Sequence, residues 1–144
     1  MVDIRHRIGI EAPAEQVYRA LATPEGVAGW WSTDTTGDAR ELQVRFGDAA
    51  GFDLAVARAL PREQVQWEVT AGPAEWLGTT IAFDLRADGE VTIVLFTHSG
   101  WRQPTEYLHE CSTQWAVFLL SLKSLLETGA GQPWPHGVDI HNLP

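Results

Sequence analysis

The chain has 144 residues, 44% hydrophobic and 20% charged, and a formal net charge of −9. This length and composition are those of one folded globular domain, which excludes a wholly disordered chain and leaves little room for a second domain. Because phosphate backbones attract proteins of the opposite charge, we expect no nucleic-acid binding.

The first predicted element is a strand over residues 2–11, where apolar and charged side chains alternate. Two short helices follow, and each has a proline, Pro13 or Pro24, at its start. The second helix is predicted to end near Trp31. Residues 32–40 are rich in Ser, Thr, Asp and Gly, which indicates a loop.

Five further strands are predicted between residues 42 and 99, because apolar side chains recur at every second position. Short connections between them indicate antiparallel neighbours. The alternating positions are Leu42, Val44 and Phe46; Phe52, Leu54 and Val56; Val65, Trp67 and Val69; Thr79, Ile81, Phe83 and Leu85; and a last strand from about Val91 to Ser99.

A long helix is predicted from about Pro104 to just before Gly129, a typical residue after a last helical turn. Its apolar residues are spaced alternately three and four apart, which gives one continuous stripe. The stripe consists of Leu108, Cys111, Trp115, Phe118, Leu122 and Leu125. Residues 130–144 contain Pro133, Pro135, Gly131 and Gly137, which indicates an irregular tail.

These elements predict a single α+β domain over residues 1–129. A curved antiparallel sheet of about six strands would wrap around the long C-terminal helix, with two short helices after the first strand. Where a curved sheet and a helix do not fully meet, we expect a cavity.

The ordered set of short motifs resembles the START-like, or Bet v 1-like, helix-grip (SRPBCC) superfamily. The motifs are Ala12 to Leu21; Thr23-Pro24-Glu25 with Trp30-Trp31; Gly78 to Phe83; Thr97 to Trp101; and Trp115, Leu119, Leu122, Lys123, Leu125 and Leu126. The chain is most similar to the branch named after the activator of heat-shock-protein ATPase, often labelled polyketide cyclase-like. Members bind apolar molecules, catalyse cyclisation or dehydration, or act on protein partners, so the resemblance implies the fold more firmly than the function.

The resemblance implies a helix-grip fold with a ligand cavity under the long helix. The predicted ligand-binding residues are Trp30, Trp31, Trp67, Phe83, Phe96, His98, Trp101, Tyr107, Cys111 and Trp115. The seven tryptophans suit a site for a flat or apolar ligand, although each could instead fill the core. Trp67, Trp76 and Trp134 depart from the shared motifs, and we expect them to shape a ligand preference.

The resemblance also sets the register of the last strand. It places Val94, Phe96 and His98 on the concave face, and a shift of one residue would exchange the two faces. The apolar residues Val91, Ile93 and Leu95 would then face outward. Such an outer stripe predicts a covering surface, and we expect a possible homodimer there.

His98 is the best candidate for a catalytic residue, because an imidazole can exchange a proton near neutral pH. The alternative is a core histidine bonded to a carbonyl or a hydroxyl group. Cys111, as a nucleophile, would need a neighbouring base, and a buried inert thiol is its alternative.

No metal or cofactor is predicted. His109-Glu110 resembles the opening of a zinc-protease helix, but the second histidine is replaced by Thr113. His136, Asp139 and His141 lie in the irregular tail, without a recognisable ligand spacing. One cysteine permits neither an internal disulfide nor a four-cysteine zinc site. With no apolar segment of the roughly 20 residues that span a bilayer, we expect a cytoplasmic location without membrane insertion.

Three functional interpretations follow. The first is the binding of a small apolar or aromatic ligand in the cavity, favoured by the tryptophan content and by the lack of a polar catalytic cluster. The second is a cyclase-, aromatase- or dehydratase-like enzyme that uses His98 with an acid such as Glu106 or Glu110. The third is a co-chaperone-like protein-interaction module. The sequence leaves open whether any reaction is catalysed.

Overall fold

The computed structural model describes residues 1–48 and 50–141. Two predicted segments are described only in part. Ala49, in the predicted turn at 47–51, and residues 142–144 of the predicted tail lie outside the described residues. In chain order the elements are β1 (Val2–Ile10), α1 (Ala14–Ala22), α2 (Pro24–Ala28), β2 (Asp34–Gly37), β3 (Glu41–Arg45), β4 (Gly51–Leu60), β5 (Gln64–Ala71), β6 (Thr80–Asp88), β7 (Val91–Trp101) and α3 (Glu106–Thr128).

The seven described strands form one antiparallel sheet in the order β1-β7-β6-β5-β4-β3-β2. The sheet curves around α3, and the core is built from the inward side chains of the strands and the apolar stripe of the helix. This confirms the predicted α+β helix-grip fold, with two short helices after the first strand.

The sheet has one strand more than the six that the sequence predicted. Strand β2 lies inside the segment predicted as a loop, and it pairs with β3 so that Thr35 lies opposite Val44. Its residues are polar and none is buried, so no alternation of apolar side chains marks it in the sequence. The strand forms because its backbone completes the hydrogen bonds of the free edge of β3.

The register predicted for β7 is confirmed. Val94, Phe96 and His98 are at most 1% exposed and lie in the core, whereas Leu95 between them is 37% exposed on the outer face. Ile93 also faces outward, but it is 6% exposed, and its side chain lies over Gly9 on the neighbouring strand.

The tail after α3 folds back along the domain. The Trp134 backbone N–H donates a hydrogen bond of 2.9 Å to the Trp31 carbonyl, and the Thr33 N–H donates one of 3.0 Å to the Trp134 carbonyl. The Gln132 N–H donates to the Ser121 hydroxyl at 2.7 Å. Residues 130–141 are therefore irregular but held against the domain by three backbone groups.

Gly131 lets the tail pass close to the end of α2. A Cβ at this position would collide with the backbone oxygen of Gly29. We expect Gly131→Ala to lower the free energy of unfolding by about 1–3 kcal/mol, because the tail backbone must shift to relieve the overlap.

Urea denaturation measures this effect. Gly9→Ala is the matched control, because its Cβ would make only ordinary contacts, 3.4 and 3.7 Å from Val91 and Ile93. A compatible Gly→Ala change is expected to be neutral or stabilising. Equal unfolding free energies for the two variants would contradict the close approach of the tail.

Candidate functional site

A cavity of about 550 Å³ lies between the sheet, α3 and the tail, and its volume is typical of a small-molecule site. Eight of its 16 lining residues are aromatic: Trp31, Phe46, Phe52, Trp76, Tyr107, Trp115, Phe118 and Trp134. The other lining residues are Glu110, Cys111, Gln114, Pro135, Gly137, Val138, Asp139 and His141. The wall therefore combines a large aromatic area with a few polar groups.

Stacking holds the aromatic wall in place. The Trp31 ring stacks on Trp30 and on Trp67, each with ring centroids 5.7 Å apart, and Trp31 is 1% exposed. Phe52 stacks on Trp76 at 4.0 Å, with ring planes 9° apart. Because these rings are already fixed by one another, a ligand would meet a wall that needs little ordering.

Four of the ten predicted ligand-binding residues line the cavity: Trp31, Tyr107, Cys111 and Trp115. The other six lie in the packed core and are at most 1% exposed: Trp30, Trp67, Phe83, Phe96, His98 and Trp101. Such core residues can position a wall residue by packing against it, as Trp30 and Trp67 do by stacking on Trp31. A role of any of the ten in binding stays a prediction.

Five aromatic wall residues were not among the predicted site residues. Phe46, Phe52 and Phe118 appeared in the sequence only as apolar positions of strands and of the helix stripe. Trp76 lies in the connection between β5 and β6, and Trp134 in the tail, so no periodicity indicated the direction of either side chain. The one available signal was that both tryptophans depart from the shared motifs.

His98 is part of a chain of hydrogen bonds inside the core. The Trp115 indole N–H donates to His98 Nδ1 at 3.1 Å, and His98 Nε2 lies 2.8 Å from the Thr79 hydroxyl oxygen. The Thr79 hydroxyl donates its only hydrogen to the Trp76 carbonyl at 2.6 Å. His98 Nε2 must therefore carry a hydrogen and donate it to Thr79, which fixes the neutral ring with Nδ1 as the acceptor.

This environment determines the ionisation of His98. Burial lowers the pKa of the imidazole to about 3, because the charged form loses its hydration. The ring is neutral at physiological pH, both nitrogens have partners, and neither partner is a carboxylate. The bonding is that of the core histidine considered as the alternative to a catalytic role.

Cys111 and Tyr107 lie next to each other on the first half of α3 and both line the cavity. Burial raises the pKa of the Cys111 thiol. Burial also raises the pKa of the Tyr107 hydroxyl, and the neighbouring Cys111 raises it further by a smaller amount. Both groups are therefore protonated at neutral pH. Because both nitrogens of His98 are engaged, that ring is not free to act as a base for the Cys111 thiol.

Within residues 1–48 and 50–141, no three side chains of His, Cys, Asp or Glu come together as a metal-binding group. No described helix is both long enough and apolar enough to cross a membrane.

Comparison with known proteins places this fold in a group of related chains. Residues 11–127 match the sequence profile of the family described as Activator of Hsp90 ATPase homolog 1-like protein. The chain is similar to the Aha1 dimer from Colwellia psychrerythraea, with 44% identity, a TM-score of 0.82, and coverage of 91% of this chain and 100% of that one. No curated protein matches the chain.

Two more distant structures share the fold. DynU16, from the dynemicin biosynthetic locus, has 24% identity and a TM-score of 0.74, with coverage of 90% of this chain and 48% of that one. CalU16 from Micromonospora echinospora has 19% identity and a TM-score of 0.69, with coverage of 87% of this chain and 74% of that one.

The buried neutral histidine predicts a pH dependence of stability. Below the ordinary histidine pKa of about 6.5, the unfolded chain takes up a proton at His98 that the folded chain does not bind. The stability that His98 contributes is therefore fully present above about pH 6.5 and is lost progressively toward about pH 3. We expect the unfolding free energy to fall by about 2 kcal/mol between about pH 6.5 and about pH 5 from this group.

Urea denaturation at both pH values measures this loss. The control is His98→Gln, in which the amide can still accept from Trp115 and donate to Thr79 but does not titrate. The wild-type protein should lose more stability on acidification than the variant. The same loss in both proteins would contradict a neutral His98 in the folded state.

Proposed function

The chain belongs to the Activator of Hsp90 ATPase homolog 1-like family, and we propose that it binds a small apolar or aromatic ligand in the cavity described above. The observation that carries this proposal is the wall of eight aromatic side chains around a volume of about 550 Å³. A ligand that fills this space removes apolar surface from water, at roughly 25 cal/mol per Å² buried.

The two residues considered as catalytic groups, His98 and Cys111, support binding rather than catalysis. Of the acids considered with His98, Glu110 lines the cavity and Glu106 does not. His98, the one histidine predicted to be catalytic, does not line the cavity and is neutral. The thiol of Cys111 is protonated at neutral pH because burial raises its pKa. A cyclase- or aromatase-like activity stays a prediction, and the cavity could support it by folding a substrate into shape. A cytoplasmic location also stays a prediction.

Native mass spectrometry of the purified protein, beside a denatured sample, is the direct test of a bound ligand. A small mass that is lost on denaturation would support the proposal and begin the identification of the ligand. If no mass is found and no tryptophan fluorescence change occurs across a panel of apolar compounds, the cavity-binding proposal fails and a protein-interaction module becomes the better interpretation.

Filling the cavity should abolish binding. Cys111 is 6% exposed and lines the wall, so Cys111→Phe would place a ring inside the cavity. With naphthylmethanol as a neutral aromatic probe, we expect the dissociation constant from titration calorimetry to rise at least about tenfold, a loss of about 1.4 kcal/mol.

The matched control is Leu120→Phe, on the same helix, where the side chain is 59% exposed and does not line the cavity. This variant should bind the probe like the wild-type protein. Thermal unfolding of both variants shows whether they are folded. If Cys111→Phe binds naphthylmethanol as tightly as the control, the probe does not occupy this cavity.

We also propose that two copies associate through the outer face of the sheet. A 44% identical chain is described as a dimer, which supports association but not a particular face. On this face Leu95 is 37% exposed and lies between Arg7 on β1 and Asp84 on β6. In a two-fold contact centred on Leu95, each Arg7 could face the Asp84 of the other copy.

Leu95→Asp should weaken such a dimer, because it places a carboxylate at the centre of the contact. Sedimentation equilibrium should show a dimer dissociation constant at least about tenfold higher than that of the wild-type protein. Leu120→Asp, at an exposed leucine on α3, is the control and should leave the constant unchanged. A wild-type monomer at all concentrations, or an unaffected dimer in Leu95→Asp, would contradict this contact.

A further inference from the structure

We infer that the ligand carries a positive charge, as an amine on an aromatic or otherwise apolar body. This inference rests on the proposed function and adds the chemical class of the ligand. It follows from the signs of the charges along the cavity wall and from the kind of ring that forms the wall.

The ionised groups of the described wall are acidic. Glu110 and Asp139 line the cavity, whereas no lysine or arginine is among its described lining residues. Glu75 adds a third carboxylate near the wall residues Tyr107 and Cys111. A cleft lined by charges of one sign concentrates the field, so this one favours a cation over a carboxylate or a phosphate ester.

Two basic groups near the wall have partners. Arg102 donates to the carbonyls of Ala74 and Leu77, at 3.3 and 3.5 Å, in the connection that carries Trp76. His141 Nδ1 lies 3.7 Å from Glu110 Oε1 and adds positive charge only when it is protonated. Asp139 accepts the His141 backbone N–H at 2.8 Å, so its carboxylate is fixed beside the cavity.

The aromatic wall is suited to the same ligand class. Four of its rings are tryptophans, and tryptophan is the ring that binds a cation most strongly on its face. Trp31, Trp76 and Trp115 are at most 4% exposed and stack on other rings, whereas Trp134 is half-buried and lies in the same tail as Asp139. An ammonium group near Asp139 would therefore meet Trp134, and its apolar body could contact the exposed edges of the other rings. A fatty acid would meet the same apolar wall with its carboxylate among like charges.

A weakly paired donor adds a polar feature to the wall. Trp76 is 4% exposed and lines the cavity, and its indole N–H lies against the Cys111 sulfur, a weak acceptor, with no nitrogen or oxygen partner within the described part of the chain. A buried donor without a partner costs free energy, and an acceptor atom of a ligand could satisfy it. An acceptor atom on the amine would therefore add to its affinity without being required for binding.

Three probes with the same ring system test the charge: naphthylmethylamine, naphthylmethanol and naphthoate. Titration calorimetry of the full chain at low salt and about pH 7.5, where an alkyl ammonium is charged, measures each dissociation constant. We expect naphthylmethylamine to bind at least about tenfold more tightly than naphthoate, with naphthylmethanol between them.

The double variant Glu110→Gln/Asp139→Asn should reduce the preference for the amine over naphthoate to within about threefold. Glu63→Gln/Asp88→Asn is the control, because it removes two charges from an exposed turn and from the exposed end of β6, neither of which lines the cavity. It should retain the full preference for the amine. Added salt should reduce the preference in the wild-type protein, because it screens the carboxylates.

Equal or tighter binding of naphthoate would overturn the inference about charge, and naphthylmethanol binding would then show that the proposed function stands. An equal loss of preference in the control variant would also overturn it, because net charge rather than the cavity carboxylates would be responsible. If none of the three probes binds, both the inference and the proposed function fail.

Discussion

The core and the cavity depend on one chain of hydrogen bonds between buried groups. It links α3 through Trp115, strand β7 through His98, and the connection between β5 and β6 through Thr79 and Trp76. Burying any of these polar groups without a partner would cost free energy. All of them have partners only when the side chains are placed as they are here, so the hydrogen bonds fix that placement. Because Trp115 and Trp76 also line the cavity, the chain sets the separation of two of its walls.

Aromatic stacking extends this constraint to the rest of the wall. The ring centroids of Trp31 and Trp115 are 5.0 Å apart, and Trp31 also stacks on Trp67. Phe52 stacks on Trp76. The tail then closes the remaining side, where the Trp134 ring packs edge-on against Phe46 at 5.9 Å. The cavity is therefore bounded by rings that hold one another, and its acidic groups belong to the helix and the tail.

The fold could be predicted from local patterns, and the site only in part. Alternation in the strands and the stripe of α3 depend on neighbours two to four residues apart, so the sequence displays them directly. The same stripe cannot tell which of its members faces a cavity: Phe118 lines the wall, whereas Leu122 is in the core. Strand β2 and the directions of Trp76 and Trp134 depend on partners distant in the sequence, which no local period reveals.

One feature of the tail bears on how this site can diverge among relatives. The match to the family profile ends at residue 127, but the wall includes residues from Trp134 to His141. Substitutions in that segment would alter the shape and charge of the cavity while the shared sheet and helix stay as they are. Two proteins of the family could thus share the sheet and the helix and differ in the ligands that they accept, because the tail segment would determine ligand selectivity.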